Sequence, residues 1–301
     1  MKRWIKFPLI GLAAVLAAAA ATLAFANHRS QSRMTRTVAL PAYALALPED
    51  AASIERGRYL YQSRGCTDCH GQDGAGRVFI NDDGIGLRLA GPNISPGPGN
   101  VVAHYKGEDW ERTLRHGVKP SGQPLLVMPS EDYARWTDAD VAAVAAYVRQ
   151  MPPKSGGPAV LQLPLPVRVM YGLGLMPDAA ERIDHGLPPP QPVPEGVSLA
   201  HGQYVANSCL GCHGQLLSGG KIPGAPPDWP DAANLTPGAG SAMPRYASAT
   251  EFRTMLRSGR RPDGSRVSIV MPFESLARMS DTDIDAAYLY LKSLPPRPVG
   301  R

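Results

Sequence analysis

Cys66-Thr67-Asp68-Cys69-His70 and Cys209-Leu210-Gly211-Cys212-His213 are the two stretches on which the reading of this chain turns. Both follow the pattern C-x-x-C-H, and together they use all 4 cysteines. Two cysteines one helical turn apart can each form a thioether to a haem vinyl group. The histidine beside them then falls where an iron takes its proximal ligand. Two C-x-x-C pairs could also build a four-thiolate zinc site, two redox-active dithiols or structural disulfides. Zinc does not account for a histidine directly after both pairs, and a thioredoxin-like dithiol needs a βαβ context that the flanking sequence lacks. The doubled motif predicts two covalently bound haem c groups, attached through Cys66, Cys69, Cys209 and Cys212, with His70 and His213 as iron ligands.

The motif belongs to a longer internal repeat. Met128, in Leu126-Val127-Met128-Pro129, lies 58 positions after His70, and Met271, in Ile269-Val270-Met271-Pro272, lies 58 positions after His213. Before each methionine a short helix is expected, over Asp109–Gly117 and Thr250–Gly259, with Asp109 and Thr250 capping the first turn and glycine closing the last. After each methionine comes a second helix. Thr137 and Ser280 are its N-caps, and Asp140 and Asp283 stand three residues on as short-armed capping-box partners. Val141, Val144, Ala145 and Val148 recur at helical spacing, as do Ile284, Ala287, Tyr288 and Leu291. Pro152-Pro153 and Pro295-Pro296 stop both helices. Ahead of each haem motif a further helix carries Gly57-Arg58-Tyr59-Leu60 or Gly202-Gln203-Tyr204-Val205. Gly57 and Gly202 read as the points where this helix crosses the last one, against Tyr147 and Tyr290.

The repeated order is helix, C-x-x-C-H, Gly/Pro-rich loop, short helix, Met-Pro loop, terminal helix. It resembles the class I cytochrome c domain over residues 50–153 and 196–298. The resemblance implies an all-α fold of two tandem domains, each wrapped round its haem, with Met128 and Met271 as sixth ligands. A thioether is a weak donor, so such ligation raises the reduction potential. His104 and His116 could compete for the first iron. The second repeat has no histidine at those places, so both read as surface imidazoles. Asn93 and Asn234 occupy matching points of the two haem loops. The resemblance puts that loop near the haem and its propionates, and an Asx-turn is compatible with the same placement.

The chain has 31 basic and 26 acidic residues, a formal charge of +5. Six of the basic residues, and none of the acidic ones, lie in residues 1–40, which leaves 25 basic against 26 acidic in the remainder. The folded part is therefore near neutral, and nothing argues for nucleic-acid binding. Lys2-Arg3 precede a mostly apolar run from Phe7 to Ala26, long enough to span a bilayer. Ala24-Phe25-Ala26 also offers a cleavage site of the A-x-A kind. Residues 1–35 read as an uncleaved membrane helix, with a removed signal and a soluble periplasmic product as the alternative. Eleven of the 31 prolines fall between residues 152 and 194. Residues 154–195 are expected to lie extended across the two domains and hold them at a fixed separation.

The whole pattern resembles the multi-haem cytochrome c subunits of membrane-bound alcohol, aldehyde and gluconate dehydrogenases, which commonly carry three haem domains where this chain carries two. That resemblance implies an electron-transfer protein at the inner membrane with its haems facing the periplasm. It would take electrons from a periplasmic dehydrogenase and pass them to a quinol or cytochrome oxidase or a soluble cytochrome. The rival reading is a dihaem enzyme, a peroxidase or a sulfur-compound oxidase. Such chemistry needs an open sixth position, and a matched methionine in both halves leaves none in view. No catalytic residue is assigned.

Overall fold

The computed structural model describes residues 3–225 and 228–300. Met1 and Lys2 of the expected anchor lie outside it, as do the side chains of residues 3–6 and 8. The chain opens with one long helix, α1 (Arg3–Thr35). Phe7 and the apolar side chains from Leu9 to Phe25 are exposed, and the helix runs unbroken through Ala24-Phe25-Ala26.

Each half is then built the same way. In the first, α2 (Ala51–Ser63) leads into the short helix α3 (Cys66–His70); α4 (Gly107–His116) and α5 (Asp138–Arg149) follow. Helix α5 crosses α2 so closely that a Cβ on Gly57 would lie 1.9 Å from Ala143 O and 2.9 Å from Tyr147 Cβ. In the second half α8 (Leu199–Ala206) precedes α9 (Leu210–His213), and α10 (Ala249–Ser258), α11 (Phe273–Leu276) and α12 (Asp281–Ser293) complete the repeat. The same crossing recurs, with a Gly202 Cβ 2.0 Å from Ala286 O and 2.7 Å from Tyr290 Cβ. Only glycine lets two helices approach to that separation. Trp110, Leu114, Val141, Val144 and Val148 are buried in the first core, and Phe252, Leu256, Ile284 and Leu291 in the second.

Several expectations need correction. The fold is mostly helical, not all-α. Val78–Asp82 (β1) and Leu87–Ala90 (β2) form an antiparallel hairpin, and Val160–Gln162 (β3) adds a third strand against β2. Leu87 and Leu89 turn inward and Arg88 outward, a period of two too short to stand out in a Gly-rich loop. Lys106, not Asp109, is the N-cap of α4, its backbone N–H donating to Asp109, and Ser248, not Thr250, caps α10.

The linker is not simply extended. After β3 it forms α6 (Leu165–Gly172), which packs on α1, and α7 (Ala179–Arg182). A Cβ on Gly172 would lie 1.9 Å from Ala26 O, and Ala26 and Ser30 are fully buried there. Arg33 pairs with Glu181, Arg36 with Asp178, and Arg182 with Glu131 near the first Met-Pro loop. The proline count hid this structure because proline at the first turn of a helix is well tolerated, and Pro166 sits there in α6.

The two halves meet through contacts that come in reciprocal pairs. Tyr59 donates to Asp283 (2.6 Å), and its repeat partner Tyr204 donates to Asp140 (2.6 Å). Ser280 N–H donates to the Tyr59 oxygen and Thr137 N–H to the Tyr204 oxygen. Asp140 and Asp283 were expected to reach back to those N-cap amides; a tyrosine of the opposite half does so instead. Arg56 and His201 stand at matched positions and complete the two clusters, Arg56 on Asp140 and His201 on Asp283. Arg64 adds a buried ion pair to Asp283.

Candidate haem centres

The two C-x-x-C-H segments form short helical turns that put the two cysteines of each pair one turn apart with the histidine directly after the second, Cys209 sitting in the tight turn that leads into α9. All four cysteines are free. Burial pushes the thiols up, to about 12 for Cys66 and Cys209 and about 11 for Cys69 and Cys212. A catalytic dithiol needs the opposite shift, toward thiolate at neutral pH. Among the described residues no three Cys, His, Asp or Glu side chains converge on a point that could hold an ion, so the two pairs do not join into a zinc site.

The histidines carry a matched second contact. His70 Nδ1 lies 3.0 Å from Pro92 O, and His213 Nδ1 lies 2.8 Å from Ala233 O. A carbonyl can only accept, so Nδ1 is the protonated nitrogen and Nε2 keeps its lone pair. Burial lowers the pKa of both imidazoles, favouring the neutral form that binds iron. A proximal ligand needs this tautomer and this fixed ring plane.

Asn93 and Asn234 hold the loops that supply those carbonyls. Asn93 Oδ1 accepts from Ser95 N–H (2.9 Å) and Oγ (2.7 Å), while Nδ2 donates to Lys154 O (2.7 Å). Asn234 repeats this with Thr236 N–H and Oγ1 (both 2.8 Å) and Arg297 O (2.7 Å). Each asparagine therefore ties its haem loop to the chain leaving the last helix, and acts on the histidine through the backbone carbonyl one residue before it. Met128 packs against the first core and Met271 against the second. His104 is exposed. His116 is not the surface imidazole expected: its Nε2 pairs with Glu111 (3.0 Å) and its Nδ1 lies 2.8 Å from His185 Nδ1.

Each haem-motif helix also touches the Met-Pro loop of the other half. Gly211 N–H donates to Asp132 (2.6 Å), four residues after Met128. Ser275, four residues after Met271, donates to Asp68 (2.9 Å). A Cβ on Gly211 would sit 2.8 Å from both Asp132 oxygens, so any side chain there would have to displace that carboxylate. The repeat displayed Tyr59/Tyr204 and Asp140/Asp283 at matched positions. Nothing in it showed that they bond across the halves.

The donor set fits covalent haem: unpaired cysteines one turn apart, a neutral imidazole oriented by a carbonyl, and a methionine on the loop that follows.

Residues 52–148 match the family described as cytochrome C oxidase, cbb3-type, subunit III, and residues 199–295 match cytochrome c. The folded part of the chain is thus made of two cytochrome c domains. It is 28% identical over 287 residues to the cytochrome c subunit of alcohol dehydrogenase (quinone) from Gluconobacter oxydans (strain 621H), covering 84% of this chain and 57% of that protein. It is 29% identical over 286 residues to the gluconate 2-dehydrogenase cytochrome c subunit of Pantoea cypripedii, covering 83% and 62%. The fructose dehydrogenase cytochrome subunit of Gluconobacter japonicus is 29% identical over 270 residues, covering 81% and 53%. The chain therefore spans little more than half the length of these relatives.

Proposed function

We propose that this protein is a membrane-anchored dihaem relay that carries electrons from a periplasmic dehydrogenase toward the respiratory chain. Its domains are residues 50–153 and 196–298, joined by 154–195, and α1 is the anchor. His70 and Met128 hold one iron; His213 and Met271 hold the other. When bound, the two haems supply reversible one-electron exchange. The protein's own part would be to fix each histidine by its carbonyl, offer a weak sulfur donor from each Met-Pro loop, and lock the two centres at one separation. The observation that carries the reading is the duplicated histidine–carbonyl contact inside a doubled C-x-x-C-H repeat. The reciprocal contacts between each haem-motif helix and the opposite Met-Pro loop supply a short connected route between the centres.

An anchor is supported by the length and apolar character of α1, whose stretch Leu9–Thr35 is long and apolar enough to cross a membrane. The haem domains then face the periplasm. The donor is a dehydrogenase of the kind the relatives serve, and the acceptor an oxidase or a soluble cytochrome.

Intact mass under denaturing conditions tests the cofactor count: the polypeptide should carry two haem masses, and the Cys209→Ala/Cys212→Ala variant one. In kinetic assays the pure protein should be reduced and reoxidised by small redox dyes and should not turn over hydrogen peroxide or thiosulfate. Steady-state turnover of either, abolished by a substitution at one haem, would establish the dihaem-enzyme reading instead.

A further inference from the structure

The two halves are copies, yet they differ in what covers them. In the first, the turn Gly117–Pro124 between α4 and Met128 is roofed by the chain leaving α1. Val38 N–H donates to Gly122 O (2.9 Å), and Thr37 Cγ2 lies 3.0 Å from where a Gly122 Cβ would stand. Val118, Gly122 and Pro124 are buried. The matched turn of the second half, Gly259–Arg266, is closed by the same kind of backbone bridge, Arg260 with Arg266 where the first has Val118 with Pro124. Here the matched residues Arg260, Gly264 and Arg266 are all exposed.

The sequence of the open turn departs from its copy in two ways. Val118, Lys119 and Pro124 are replaced by Arg260, Arg261 and Arg266, and one more residue separates the glycine from the methionine. Next to the Arg266 side of this turn, Ile269 is 94% exposed, two residues before Met271. Among the described residues none of the three arginines makes an ion pair. Arg260 donates to Gly264 O, and Arg261 to Arg266 O and Ser265 Oγ, which holds those two guanidiniums on the turn. The one carboxylate on the turn, Asp263, accepts from Ser265 N–H and offsets part of the charge of Arg261 and the nearby Arg245, so the turn keeps a net positive charge.

A net basic rim beside a bare apolar side chain favours an acidic protein with an apolar centre. The cations steer the encounter, and the apolar contact excludes water once the two surfaces meet. We infer that the Arg260–Ile269 surface is the port where an acidic redox protein docks and exchanges its electron with the second centre. The first half has no such port because the chain after α1 covers it. This inference rests on the relay reading and names the face through which the relay meets its partner. In the exchange one electron leaves the ferrous centre, and the partner, such as a copper(II) protein, is reduced by one.

The test uses the full-length, haem-loaded protein in detergent, reduced and mixed in a stopped-flow instrument at low ionic strength. Three oxidants are compared: ferricyanide, the tris(phenanthroline)cobalt(III) cation, and a purified acidic blue-copper protein. The triple variant Arg260→Glu/Arg261→Glu/Arg266→Glu should be oxidised roughly tenfold more slowly by ferricyanide and the copper protein, and no more slowly by the cobalt complex. Ile269→Ser should slow only the copper protein. Lys119→Glu, on the roofed turn, should change nothing, and absorption spectra should stay as in the parent. A triple variant oxidised by the copper protein at the parental rate, or an equal loss in Lys119→Glu, would overturn the port while leaving the relay standing. A parent protein that exchanges electrons with none of the three oxidants would overturn the relay itself.

Discussion

Asp140 and Asp283 occupy the same place in the two repeats, and the structure predicts very different costs for losing them. Asp283 is fully buried and accepts from Tyr59 (2.6 Å), His201 (2.7 Å) and Arg64. The Arg64 side chain is only 5% exposed. Asp283→Ala would strand that guanidinium without a counter-charge in the interface, which costs about 3–5 kcal/mol. Asp140 is buried as well, but its partner Arg56 is 28% exposed and can turn to water once released. Asp140→Ala should cost about 1–2 kcal/mol, mostly for lost hydrogen bonds. At about 2–4 °C per kcal/mol for a chain of this size, the Asp283 variant should melt roughly 6–20 °C below the parent and the Asp140 variant less than half as far. Thermal unfolding of the haem-loaded protein, followed by far-ultraviolet circular dichroism at pH 7, measures both. Replacing Arg64 and Asp283 together with apolar residues should recover much of the loss, because no charge is then left alone. Equal melting of the two single variants, or no recovery in the double one, would refute the argument.

The same site sets an acid limit. Burial alone would raise the Asp283 pKa, but Arg64 and the donors Tyr59 and His201 hold it below its ordinary 3.8. A depressed carboxyl stabilises fully above its unfolded pKa and loses that contribution as pH falls through the folded value. The stability gap between parent and Asp283→Asn should therefore be complete at neutral pH and shrink below pH 3.8, as chemical denaturation across pH will show. Gly57→Ala and Gly202→Ala should each destabilise by about 1–3 kcal/mol in denaturant titrations, where the same change at an open helix site stabilises by up to about 1 kcal/mol. Met271→Ala should leave the second iron high-spin or open to added ligands and lower its potential, while His104→Ala should leave the spectra unchanged, as electron paramagnetic resonance and redox titration will tell. The protein should remain with membranes after a high-salt wash and leave them in detergent, and a native N-terminus near Asn27 would show that α1 is removed.

Much of the candidate site was legible because a haem-attachment motif is a local chemical pattern. Two cysteines, one histidine and a methionine 58 positions on are spacings along one chain, and their repetition separates them from chance. The helix crossings at Gly57 and Gly202 were legible for the same reason: a glycine recurring in a helix that has no turn to make marks a close approach. The caps at Thr137 and Ser280 follow from local hydrogen bonding and stand as read. The carbonyls of Pro92 and Ala233 could not be read, since every residue has one and only the folded loop selects which will orient a ring nitrogen.

By itself the sequence determined the repeat, the candidate ligand residues, the order of the repeated helices and the apolar N-terminal segment, all of which depend on residue type at short or fixed separation. Tertiary structure alone decided how the two copies meet. Tyr59 and Asp283 stand more than two hundred positions apart, and bond because the halves face each other in a reciprocal arrangement that no local preference encodes. It decided that the proline-rich linker supplies a strand to one half and a helix to α1, since pairing partners and buried faces exist only after folding. It also decided that one Met-Pro turn is roofed and its copy is bare, a difference of surroundings between two stretches whose local sequences fold alike.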